Sequence, residues 1–131
     1  MNTETLDKIQ DCIKWLEEND KSHNLVEICM VIDKLAVLSV TLGHQVSDAY
    51  ALMNDYEDEF KIAYAEKISQ SSKSVAKAEA DAEATLIDEK RNYTLAKNVY
   101  KRLTIHLERI DRVIESYRQL VSVAKMDMKF S

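Results

Sequence analysis

Proline is absent and glycine occurs once, at Gly43. Average globular chains carry about 5% Pro and 7% Gly. Sheets need several tight turns, and those favour Gly, Pro, Asn and Asp. A β-rich fold is therefore excluded, and very few connections are expected. One glycine also cannot build a P-loop or any other Gly-rich phosphate cradle. Cysteine is scarce too: Cys12 and Cys29 are the only two. Both sit at apolar helical positions, so the pair reads as small hydrophobes and not as a disulfide framework. No apolar run approaches the roughly 20 residues that a membrane span needs. The opening MNTETLDKIQ is acidic and polar, unlike a signal peptide. These absences lead to the expectation of a soluble, cytoplasmic protein (in the host cell's cytoplasm if viral) with no membrane partner.

Groups that carry chemistry are equally sparse. The histidines are His23, His44 and His106. No Glu-x-x-His pair exists to supply di-iron ligands in a bundle. Neither cysteine has a histidine at zinc spacing, and neither has a base beside it to make a nucleophile. The run DYEDE, 55–59, gathers four carboxylates, but on a helix they point in different directions and match no calcium-loop spacing. The expectation is no metal, no cofactor, no small-molecule substrate and no enzymatic activity.

What the chain does have is helical periodicity. Its 131 residues make one domain by length, 1–131. In the first helix, about 3–18, Leu6, Ile9, Ile13 and Leu16 recur at spacings of 3 and 4, with Asn2 or Thr3 as cap. ENDKSHN, 18–24, breaks the pattern. Asn24 then caps a second helix, with Glu27 three residues on. From there a 4-3 alternation runs through Ile28, Ile32, Leu35, Ser39, Leu42, Val46, Ala49, Met53, Tyr56, Phe60 and Ala63. Gly43 lies just off this seam, where it can let another backbone approach. SQSSKS, 69–74, carries no apolar side chain, and its serines compete with the helical backbone. A third stretch resumes the alternation: Val75, Glu79, Ala82, Leu86, Glu89, Tyr93, Ala96, Tyr100, Leu103, Leu107, Ile110, Ile114, Tyr117, Val121 and Ala124. An apolar repeat of 3.5 residues means left-handed supercoiling.

The fold class expected is all-α. It is a long antiparallel coiled-coil hairpin, about 24–68 and 75–126, with the short N-terminal helix packed at its base and turns at 19–24 and 69–74. Folding about residue 71 pairs positions whose numbers add to roughly 142. Val31, Leu38, Val40 and Leu52 are surplus apolar groups off the seam. Surplus of this kind usually finds a partner, so a homo-oligomer is expected, a dimer by default.

Charge is unevenly spread over a net −5. Residues 1–85 hold eight Lys/Arg against seventeen Asp/Glu, and residues 86–131 hold ten against six. The richest basic stretch is KRNYTLAKNVYKR, 90–102. At 100° per residue Lys90, Lys97 and Lys101 share one edge of the helix, and Arg91, Arg102 and Arg109 share a second. Such a strip can neutralise phosphates, with aromatic rings between the cations to stack on bases. The other reading is a solvated face paired with Asp48 and the DYEDE acids across the hairpin, with Tyr93 and Tyr100 packed inside.

The C-terminal half of the chain, with KRNYTLAKNVYKRLTIHLERIDRVIESYRQLVSVAKMDMK, resembles small helical proteins encoded by many bacterial viruses. In these an Ala/Glu-rich helix leads to a Tyr/Lys stretch, and a run of hydrophobics ends near a short basic segment, here SYRQLVSVAK, 116–125. The resemblance covers roughly 55–128. In size and helical character such proteins are similar to the recombination mediator of T-even phages, an oligomer that binds single-stranded DNA. The resemblance implies a non-enzymatic oligomeric accessory protein of DNA recombination or replication. Its partner would be single-stranded DNA or a DNA-bound protein. The alternative is a protein-protein interaction module or inhibitor that docks on a host or viral protein without binding nucleic acid.

Overall fold

The structure, a computed structural model, describes residues 3–21 and 24–130. Among them the fold is all-α: α1 (Glu4–Asn19), α2 (Leu25–Gln70), α3 (Val75–Thr85) and α4 (Ile87–Phe130). The contacts divide into two compact units. The first combines Met1–Gln45 with Leu103–Ser131, and the second is Val46–Arg102. No helix is long and apolar enough to cross a membrane among the described residues.

The helix starts follow local chemistry. At α2 the backbone N–H of Glu27 donates to the Asn24 side chain at 3.2 Å, and at α3 the N–H of Lys77 donates to Ser74 Oγ at 3.4 Å. Both side chains satisfy a donor that the first turn leaves open. Thr3 stands at the N-cap of α1 without a side-chain bond, because its φ of −94° and ψ of −2° are already helical. Its carbonyl accepts from Asp7 N–H at 2.8 Å instead. Asn2 and His23 lie outside the described residues.

In the first unit α1, the start of α2 and the end of α4 bury large side chains against each other. Ile9, Leu16, Ile28, Leu35 and Leu42 are almost wholly inaccessible, and Cys12, Ile32, Leu103, Ile110, Ile114 and Val121 are buried with them. Each such aliphatic side chain stabilises by about 1.5–3 kcal/mol relative to exposure. Gln45 donates to Thr5 Oγ1 at 3.2 Å, while only a few residues of chain separate the end of α1 at Asn19 from the start of α2 at Leu25, so these helices are antiparallel. Along α4, residues 6–13 of α1 lie beside 106–113, and Asp20 lies beside Tyr117. That order makes α1 parallel to α4, and α2 therefore antiparallel to it. Ser39, the polar member of the α2 seam, donates to Asp111 Oδ1 at 3.0 Å.

The second unit is thinner. It buries Ala78, Ala82, Leu86 and Ala96, while Val46, Met53, Tyr56, Phe60, Tyr93 and Tyr100 are half-buried. Leu107 and Tyr117, seam residues of the first unit, are also half-buried. The Tyr50 and Tyr100 rings meet at 5.3 Å, and Tyr64 feels the charges of Glu79 and Glu83, so α2 runs antiparallel to α3 and α4 here.

Four details differ from the sequence expectation. The third stretch is two helices and not one, with a break at Leu86, whose φ is −100° and ψ is 29°. Thr85 Oγ1 donates back to the Asp81 carbonyl at 2.7 Å, a bond that commonly bends helices. Ahead of the break the buried face is Ala78, Ala82 and Leu86, at spacings of four. Val75 and Glu79, members of the anticipated seam, are exposed, one position away from this buried face. The register differs as well: Ser39–Asp111 and Tyr50–Tyr100 both add to 150 and not 142. Finally, a Cβ at Gly43 would meet nothing within 4 Å, so no backbone approaches there.

Candidate nucleic-acid interface

The second unit segregates its charges along the chain, with Asp88 and Glu89 at the start of α4 the last of the acids. Residues 48–89 hold eleven Asp/Glu and four Lys/Arg, whereas 90–102 hold five basic residues and no acid. All five lie on the first turns of α4. Lys90, Lys97 and Lys101 follow at intervals of seven and four, so one edge presents them over about 16 Å at 1.5 Å per residue. Arg91 and Arg102 are eleven apart, three full turns, and line the neighbouring edge.

Lys90, Arg91, Lys101 and Arg102 are exposed, and Lys97 is half-buried. The Lys97 ammonium lies 5.9 Å from the centroid of the Tyr93 ring, within cation–π range. That contact presses the Lys97 stem onto the helix and leaves its charge beside an aromatic face.

The observed register brings 90–102 opposite 48–60, and so opposite DYEDE. Even so, no ion pair crosses from Asp48, Asp55, Glu57, Asp58 or Glu59 to the basic strip among the described residues. The ion pairs there are Lys8–Glu4 at 3.1 Å, Lys61–Glu57 at 2.7 Å and Lys73–Asp81. Glu57 is held by Lys61 on its own helix, whose ammonium is pushed up by that hydrogen bond and charge. Asp55, Asp58 and Glu59 face solvent. The paired-face reading of the strip is thus not what the geometry displays. Exposed pairs contribute only about 0–1 kcal/mol, too little to hold long side chains across two helices.

Tyr93 and Tyr100 are half-buried and not enclosed. Tyr100 packs on Tyr50, which is itself exposed. Tyr50 is the aromatic that periodicity alone passes over, since Ala49 holds the seam position beside it. Only the register of 150 reveals that it meets Tyr100.

Arg109 is not gathered with the five. It belongs to the first unit, is exposed, and lines an open groove with Leu6, Ile9 and Ile13 of α1. Near the α2–α3 turn a small groove lined by Lys67, Gln70, Lys73 and Asp81 is polar and shallow. Among the described residues no three His, Cys, Asp or Glu side chains stand close enough together to hold a metal ion. Cys12 is buried and its thiol is pushed up by that burial, with Lys34 opposing the shift. No protein-family model, no curated protein and no solved structure matches the chain.

Proposed function

We propose that the protein is a non-enzymatic helical accessory factor whose strip on α4 contacts single-stranded DNA or a DNA-bound protein. One observation carries the reading: five cations, Lys90, Arg91, Lys97, Lys101 and Arg102, stand on adjacent edges of one helix without an acidic partner among the described residues, although acids are plentiful opposite them. Unpaired cations on a rigid helix neutralise phosphates at little ordering cost. Tyr93 and the Tyr50–Tyr100 pair add aromatic surface beside them, the combination that single-strand binders use. A place in DNA recombination or replication rests on the resemblance to phage helical proteins.

A fluorescently labelled single-stranded oligonucleotide is expected to bind at low salt. With up to five phosphates neutralised, log K should fall against log salt with a slope of about −3.5. The Lys90→Glu/Lys97→Glu/Lys101→Glu variant should lose binding while keeping its helical circular dichroism. No binding by the wild type, or equal binding by the variant, defeats the reading. A second reading, docking on a host or viral protein, is favoured by Leu120, Val123, Met126 and Met128, which are exposed near the end of α4. A stoichiometric protein partner that survives nuclease treatment would support it.

A further inference from the structure

Going round α4 from its buried Ala96, the side chains come in a fixed order: Tyr93 and Tyr100, then the Lys90, Lys97 and Lys101 edge, then Arg91 and Arg102. At 3.6 residues per turn the two tyrosines stand about 40–60° from Lys97. They lie on the side of the strip that faces α2. Tyr100 meets the Tyr50 ring of α2 at 5.3 Å between centroids, with the planes tilted by 50°. Tyr93 is near enough to α2 for its charge to act on Lys61. The cations therefore have an aromatic border along one side only, and part of that border comes from the neighbouring helix.

Tyr50 is the most open member of the border. It is 49% exposed, whereas Tyr93 and Tyr100 are half-buried. Its neighbours one turn away on α2, Val46, Ser47, Met53 and Asn54, carry no charge. Asp48 and Asp55 are turned about 140–160° away from it. Glu57 shares its face about two turns on, and is held by Lys61 at 2.7 Å. A negatively charged strand can thus reach this ring without meeting a free carboxylate beside it.

Cations alone recognise any polyanion. An aromatic face beside them recognises the flat face of a base. A duplex keeps those faces in its own stack and offers only base edges and phosphates, whereas a single strand offers the faces themselves. We infer that Tyr50 is a base-stacking residue that makes the strip selective for single-stranded DNA. The phosphates follow Lys90, Lys97 and Lys101, and the bases turn towards α2 and stack on Tyr50. This rests on the proposed function, and narrows it from any DNA-bound partner to the strand itself. Tyr100 already packs on the Tyr50 ring, and a tyrosine has only two side-chain torsions to fix, so stacking orders little that is not ordered beforehand. Neither helix alone presents the site, which exists only in the register that sets Tyr50 against Tyr100.

Fluorescence anisotropy at low salt tests this on the full chain with three labelled probes of equal length: a thymidine oligomer, the same backbone made of abasic sites, and a duplex. The thymidine oligomer should bind about tenfold more tightly than the abasic chain, and more tightly than the duplex. Tyr50→Ala should lose between about fivefold and a hundredfold in affinity for the thymidine oligomer. It should hold the abasic chain as the wild type does and keep the wild-type salt slope, because no phosphate contact changes. Tyr50→Trp should bind the thymidine oligomer at least as well as the wild type. Equal binding of the thymidine and abasic oligomers overturns the inference, as does binding of the duplex as tightly as the single strand. An unchanged affinity in Tyr50→Ala also overturns it, and so does an equal loss on both single-stranded probes, which would make the ring merely structural. In each of those cases the strip itself still stands if Lys90→Glu/Lys97→Glu/Lys101→Glu loses every probe. No binding of any probe by the wild type defeats strip and stacking together.

Discussion

The two units use the same device, helices of opposite direction paired along an apolar seam, and fill it with different side chains. In the first unit Leu and Ile from three helices close over one another, and the five least accessible large side chains are all there. In the second the most buried residues are three alanines and Leu86. Alanine lets backbones approach but removes little apolar area from water, and stabilisation scales with that area. The first unit is therefore built for stability. The second is built as a platform that carries unpaired charge and aromatic edges at its surface. Regions with few buried apolar contacts open at the lowest free energy, so the second unit is expected to open before the first.

The largest effect that can break this comparison is truncation in the two cores. Leu35→Ala should cost about 2–5 kcal/mol, whereas Ala82→Gly should cost about 1 kcal/mol, mostly helix propensity. Denaturant melts measure both, and amide exchange should show stronger protection at 28–42 than at 76–84. Equal costs, or equal protection, would erase the distinction between the units.

A smaller effect has the opposite sign. Gly43 lies in the first unit, inside α2, with open space where a Cβ would go. Gly43→Ala should stabilise by about 1 kcal/mol, because alanine favours the helix and loses less backbone freedom. A loss of stability would mean that something does approach there.

The smallest effect is a dependence on alkaline pH. The Tyr117 phenol is pushed above its ordinary value of 10.0 by burial, then by the charges of Asp20 and Glu17. The folded state therefore holds this proton more tightly than the unfolded chain. Its contribution is complete below about pH 10 and is lost as pH rises through the folded value. Tyr117→Phe should flatten part of the alkaline decline seen in denaturant melts of the wild type. An unchanged decline would assign it to other groups.

Much of this was legible in the residues. The helix start at Asn24 follows from a side-chain oxygen three residues ahead of Glu27, and the bond is there. The α2 seam is readable because apolar residues hold the 4-3 repeat with Ser39 as the one polar exception, and the serines at 69–74 stand beside a real helix end. Other features were not legible, for definable reasons. The break at Leu86 stands beside a Thr85 hydroxyl turned onto its own helix, while the 4-3 spacing of the sequence passes through it without a signal. The face of α3 is uncertain in a segment where nearly every second residue is alanine, since Ala78 and Val75 offer the core little to choose between. The alignment of α2 with α4 was displaced by eight in the number sum, because a turn's length shows where helices stop but not how far they slide.

The order of amino acids on its own determined that this chain is helical, where α1 and α2 begin, and which stripe of each is apolar. Those properties come from interactions within a few residues: capping bonds, backbone freedom and the 3.6-residue turn. Which stripe is covered, which charges lack partners and which aromatics meet were decided only when distant segments came together. Val26, Met30, Val37 and Val40 are as hydrophobic as the core beside them, and Asp55, Asp58 and Glu59 are as acidic as any ion-pair partner. Burial and pairing belong to the spacing between helices, and no short stretch of chain contains that distance.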